Sequence, residues 1–182
     1  IKKVNSRLKF LYRYANYFDT KTKKTLCSAL YLCLFDYSIS SWYGAISKHL
    51  CKKLQIAQNK VIRFILNADS RYHITKDDFV NLGLLNIQQR AKQLRLNHVF
   101  NIVNGCAPDY MSANFTKVSD VHNYNTRGST HNFYVPKGNS ITSGSFYYNS
   151  IHDWSSLPNS IKEITQKDAF KKAVKEYCFT LM

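Results

Sequence analysis

Apolar positions recur along most of the chain with the 3.6-residue period of an amphipathic helix. Over residues 2–18, Val4, Leu8, Leu11, Tyr12 and Ala15 share one side, while Lys2, Lys3, Arg7, Lys9 and Arg13 lie largely elsewhere on the wheel. This predicts a basic amphipathic helix. The polar stretch 19–24 reads as a break before a more apolar helix over 25–35, and Trp42, Tyr43 and Gly44 mark a bend. The clearest pattern is KHLCKKLQIAQNKVIRFIL, residues 48–66. At about 100° per residue, Leu50, Leu54, Ala57, Val61 and Ile65 fall within about 60° of one direction. Lys52, Lys53, Asn59, Lys60 and Arg63 occupy the opposite half.

Local stop and start signals divide the chain beyond residue 66. Thr75 with Asp78 resembles a capping box that opens a short helix, and Gly83 ends it. Asn86 with Gln89 repeats the device before a helix whose apolar stripe is Ile87, Ala91, Leu94, Val99, Ile102 and Val103. His98 falls in that stripe and reads as a packed core residue. The helix ends at Asn104 and Gly105, with Pro108 beyond. Residues 105–145 are rich in Pro, Gly, Asn, Ser and Thr and read as a loop region, with 132–135 able to extend. A last helix is expected from Thr165 and Asp168, placing Phe170, Val174, Tyr177 and Leu181 on one face and Lys171, Lys172 and Lys175 on the other. The fold class expected is therefore mainly α, with at most short strands. The expected division is a helical bundle over 1–68 and a second helical region over 69–182, carrying a loop-rich insert at about 105–145.

Composition sharpens this picture. Apolar residues make up 45% of the 182, with six Gly and three Pro, enough to bury a core. The formal charge is +15, and residues 1–63 hold 13 basic side chains against 2 acidic ones. Such an excess favours a polyanionic partner. A second origin is an AT-rich coding sequence, since Lys outnumbers Arg 19 to 7 and Asn, Tyr, Ile and Phe are frequent. The five Cys include no CxxC pair, which suggests reduced thiols in an intracellular compartment. None of the six His stands at ligand spacing from a Cys, so no metal or cofactor is expected. No run of 18 apolar residues occurs, and no stable membrane association is expected. Neither GxSxG, HExxH nor a glycine-rich phosphate loop is present. The adjacent acidic pair Asp77 and Asp78 sits where a helix start welcomes negative charge. No catalytic residue is assigned, and the isolated chain is not expected to be an enzyme. Because it opens IKKVNS without Met, it reads as a piece of a longer protein.

Three phrases, in order, carry a family resemblance. LYLCLFDYSISSWYGAI and the LCKKLQIAQNKVIRFIL after it contribute Leu30, Tyr31, Leu34, Tyr43, Gly44, Leu54, Gln55, Gln58, Asn59, Lys60 and Arg63. HNYNTRG contributes His122, Tyr124, Thr126 and Arg127. HDWSSLPNSIKEITQKDAFKKAVKEYC contributes Trp154, Leu157, Pro158, Ile161, Lys162, Phe170, Lys171, Lys172 and Tyr177. Together they resemble the region after the catalytic palm in non-LTR retrotransposon reverse transcriptases of the jockey-like and related clades. The usual Pro after the first phrase is replaced by the run Phe35, Asp36, Tyr37, and Trp42 precedes Tyr43 and Gly44 where the family's Trp follows.

The resemblance implies a thumb-like region over 1–68 and a post-thumb region after it, from an RNA-directed DNA polymerase whose palm and endonuclease lie upstream. It implies an RNA template, an RNA–DNA hybrid or target DNA as partner, and nuclear or cytoplasmic residence. In that frame Lys52, Lys53, Asn59, Lys60, Arg63 and Arg127 are the candidate nucleic-acid-binding residues, because cations on a rigid helix meet phosphates whatever the base sequence. Trp154, Leu157 and Pro158 are assigned as structural anchors for the last helix. Two alternatives stand beside this reading. One is a basic helical module docking on an acidic protein or an anionic membrane. The other is a decayed fragment with no activity.

Overall fold

The computed structural model describes residues 1–121, 131–135, 137 and 142–182. It is mainly α, and among the described residues the β structure is one isolated antiparallel bridge between Lys117 and Phe133. Helix α1, Lys2–Tyr12, buries Val4, Leu8 and Leu11 and passes into a 3-10 turn, Ala15–Tyr17. Helix α2, Thr20–Cys27, begins inside the polar stretch expected to be a break. The reason is a cap: the Asp19 carboxylate accepts from the Thr22 amide at 2.9 Å and turns that run into a first helical turn. A π turn, Ser28–Leu32, and α3, Cys33–Asp36, carry the chain to Ser38, whose φ of 48° ends it.

Helix α4, Ile39–Trp42, and a 3-10 turn, Tyr43–Ala45, lead to α5, Lys48–Leu66. Helix α6, Lys76–Leu82, opens on a complete Thr75–Asp78 capping box and closes on Gly83 at φ 61°. Helix α7, Ile87–Val103, starts where the Asn86 side-chain oxygen accepts from the Gln89 amide at 2.8 Å. Short helices α8, Asp109–Ser112, and α9, Val118–Val121, precede α10, Phe146–Ser155, α11, Asn159–Lys162, and α12, Lys167–Thr180.

The chain forms two compact units, one of residues 1–39 and 47–90 with Met182, the other of 40–46 and 91–181. The division differs from the one expected at 68/69. Residues 69–90 pack with the first unit because Gln58 of α5, buried, donates to the Leu85 carbonyl at 2.9 Å, and Gln55 accepts from the Ile87 amide at 3.2 Å. In the same unit Arg90 and Asp36 form a two-bond ion pair at 3.0 and 2.8 Å.

The second unit is built on aromatic rings. Phe170 of α12 stacks on Phe100 of α7 with centroids 4.3 Å apart, and Trp154 of α10 lies 6.0 Å from Phe170 and 6.1 Å from Phe133. The Trp154 indole is buried and donates to the His131 carbonyl at 2.7 Å, tying the 131–133 segment to α10. Leu157 is buried beside it, and Pro158 is exposed and caps α11. Arg95 of α7, also buried, donates to Asp153 at 2.7 Å, and Lys92 approaches the same carboxylate at 3.9 Å. Burial pushes the Asp153 carboxyl above its ordinary pKa, against the pull of Arg95, Lys92 and His152.

Three expectations change in this unit. His98 is exposed, with its ring edge against Phe146 at 6.0 Å, and partial burial lowers its pKa; Leu96 and Phe100 fill the core instead. Thr165 does not cap α12, which starts after Gln166 with no side-chain cap. The buried stripe of α12 is Phe170, Val174 and Cys178, while Leu181 stays exposed and the half-buried Tyr177 donates its hydroxyl to the Ser156 carbonyl at 2.8 Å. On the wheel Leu181 falls in line with that stripe, but it is the C-cap residue, past the last helical residue Thr180, and so lies beyond the packed part of the face.

Two substitutions test this packing by chemical denaturation. A Cβ on Gly44 would stand 2.5 Å from the Asn149 amide nitrogen and 2.7 Å from the Gly144 carbonyl. That nitrogen is pinned by bonds to the carbonyls of Ser143 and Ser145 at 2.9 and 2.8 Å, so Gly44→Ala should destabilise the fold by about 1–3 kcal/mol. Asp153→Ala should cost more, about 3–5 kcal/mol, because Arg95 then keeps a buried charge without its counterion.

Candidate nucleic-acid interface

Helix α5 is defined at both ends by the chain itself. The Ser47 hydroxyl accepts from the Leu50 amide at 3.4 Å, and Asn67, at φ 54°, makes the left-handed C-cap. Asn67 is held in turn by Lys23, whose ammonium donates to its side-chain oxygen at 3.2 Å and lies 5.5 Å from the centre of the Phe64 ring. Ala57, Gln58, Val61, Ile62, Phe64 and Ile65 are buried. Leu50, expected on the core side, is exposed, because it lies in the first turn of the helix, ahead of the buried run.

The other side of α5 carries the cations. Lys52, Lys53 and Lys60 are exposed, and none has an ion-pair partner among the described residues. With Ile56, which is 55% exposed, and Arg63 they fall within about 100° of arc at 100° per residue. From Lys52 to Arg63 the stripe runs for about 16 Å at 1.5 Å per residue. Arg63 is half-buried, and its Nε donates to the Tyr72 carbonyl at 2.8 Å. That bond holds the guanidinium in place and leaves its Nη edge without a protein acceptor among the described residues.

Asn59 departs from this set. Its side-chain oxygen accepts from Gln55 Nε2 at 2.8 Å, and Gln55 also donates to Gln58 at 2.9 Å. The three residues of the LQIAQN phrase thus form the network that reaches Leu85 and Ile87, and Asn59 is half-buried at its edge. Arg127, with His122, Tyr124 and Thr126, lies outside the described residues.

Sequence reasoning missed one side of the site. A groove of about 500 Å³ in the first unit is lined by Asn5, Leu8, Lys9 and Tyr12 of α1, Lys60 and Arg63 of α5, and Ser70 of the following turn. Tyr12, which periodicity puts on the apolar stripe of its helix, is instead 49% exposed, with its ring edge-on to Phe64 at a centroid distance of 5.0 Å. Its partial burial raises the phenol pKa, against the pull of Arg63. Periodicity within α1 places Lys9 and Tyr12 on the wheel, but contains no signal that α5 stands opposite.

Other chemistry is sparse among the described residues. No group of three or more His, Cys, Asp or Glu is placed to hold a metal, and no helix is long and apolar enough to cross a membrane. Burial pushes the Cys27 thiol up to about 12 and Cys178 up to about 11, which keeps both protonated at neutral pH.

The network and the cationic stripe should separate on mutation. Gln58→Leu strands the Leu85 carbonyl and should destabilise the fold by about 1–3 kcal/mol in denaturant titration, whereas Lys52→Ala/Lys53→Ala/Lys60→Ala, at exposed positions, should leave stability nearly unchanged. No family model matches the chain, and no curated protein or solved structure is significantly similar to it.

Proposed function

We propose that this chain is the non-catalytic, thumb and post-thumb portion of a non-LTR retroelement RNA-directed DNA polymerase, and that it holds template–primer or target nucleic acid by the phosphate backbone. The observation that carries the reading is the α5 stripe: Lys52, Lys53 and Lys60 exposed on one face, unpaired among the described residues, on a helix whose opposite face is locked into a core. Cations placed by a rigid helix meet phosphates at fixed spacing and read no bases, which suits a grip that must persist while a duplex advances. The uneven charge supports it, since 13 of the 26 basic side chains lie in residues 1–63 with only 2 acidic ones.

The test is fluorescence anisotropy of the purified chain with a blunt RNA–DNA hybrid over a salt series, beside Lys52→Ala/Lys53→Ala/Lys60→Ala. Arg63 is left in place because its Nε supports the Tyr72 turn. The parent chain should show a steep slope of log K against log salt, and the triple variant should lose roughly 2–3 units of it, at about 0.9 per phosphate contact. An unchanged slope, or a folded chain that binds no hybrid at low salt, overturns the reading. Binding to anionic vesicles that persists at high salt would favour membrane docking through exposed Phe10, Tyr14 and Tyr17 instead.

A further inference from the structure

The groove between α1 and α5 adds to Lys60 and Arg63, at the end of the α5 stripe, an apolar and aromatic wall that a duplex grip does not use. Its volume, about 500 Å³, lies in the range of small-molecule sites and suits one nucleotide, not a helix of paired strands. Leu8, buried, and the half-exposed ring of Tyr12 supply apolar and aromatic surface. Lys9 stands on one wall and Lys60 with Arg63 on the other, and no carboxylate is among the lining residues. Asn5 and Ser70 add short polar groups able to donate or accept at the edge of a base. Arg63 is oriented in advance by its bond to Tyr72, which lowers the entropy lost when its Nη edge meets a phosphate.

We infer that this groove seats a single unpaired nucleotide of the bound strand, its base against Tyr12 and Leu8 and its phosphate between Lys9, Lys60 and Arg63. The inference rests on the proposed nucleic-acid grip and adds a second mode to it. The exposed stripe holds paired backbone, and the groove takes a nucleotide that leaves the stack at a bulge or strand end. Charge complementarity selects a phosphate-bearing occupant, and the aromatic wall selects one that also carries a flat ring.

The experiment compares a blunt RNA–DNA hybrid with the same hybrid carrying a one-nucleotide overhang of 2-aminopurine, using the full chain. The overhang should raise affinity roughly five- to a hundredfold, the value of one base–aromatic stack, and the 2-aminopurine emission should be quenched on binding. Tyr12→Leu should abolish the quench and the gain, the gain being read as the ratio of overhang to blunt affinity on the same variant. Because Tyr12 also touches Phe64, Ser70→Leu serves as a second variant: it narrows the groove from an exposed turn, keeps every cation, and should have the same effect. If the blunt hybrid binds with its steep salt slope but the overhang adds nothing, the groove inference fails and the grip stands. A gain that survives both substitutions means that the nucleotide sits elsewhere and also overturns the inference. If neither hybrid binds, the nucleic-acid reading fails and the groove inference with it.

Discussion

A glutamine removed from water must have its amide satisfied, and much of the first unit follows from how Gln58 meets that demand. Its nitrogen bonds the Leu85 carbonyl, its oxygen is served by Gln55, and Gln55 reaches on to the Ile87 amide. Apolar packing of Val61, Ile62, Phe64 and Ile65 fixes which side of α5 faces inward. The directional bonds sharpen that register, because each misplacement would leave buried polar atoms unpaired at a cost of about 1–3 kcal/mol apiece. The register of α5 is thereby set from its buried side. The direction in which Lys52, Lys53 and Lys60 point is a consequence of that choice, so the phrase that carries the cations also contains the device that aims them.

The second unit relies on a different kind of fixing. Trp154 supplies bulk to a row of rings and one hydrogen bond to the backbone at His131, so a single side chain joins a helix to an irregular segment. The Arg95–Asp153 pair adds directionality at a place where burial works against charge. Such a pair contributes little net stability over a well-packed apolar substitute, yet it penalises any arrangement that separates the two groups. Both units therefore combine an apolar majority with a few polar contacts that admit one geometry.

Helix α5 is legible in the sequence because its signals are local: a Ser at the cap position, nineteen residues of one period, and an Asn able to adopt a left-handed conformation. The capping box at Thr75 and the stop at Gly83 are legible for the same reason. Long-range facts are not. Gln58 meets its partner 27 residues away, so the phrase looks like a binding surface when half of it is scaffold. Arg95 has no local signal of burial either, since Asp153, which faces it, lies 58 residues on. The groove needs two helices separated in the chain by α2, α3 and α4, and each displays only its own half. His98 shows the converse, since it falls within an apolar stripe that α7 does not use at that turn.

The seven residues 40–46 belong with 91–181 although the chain on both sides of them belongs to the first unit. Covalent order and compact structure are therefore interleaved, and no single cut separates the two units intact. A fragment ending at residue 90 would carry Gly44 away from the Gly144 and Asn149 surface that accepts it, while a fragment starting at 91 would lack the segment that fills that surface. A single cut in the chain therefore leaves one unit without part of its own packing.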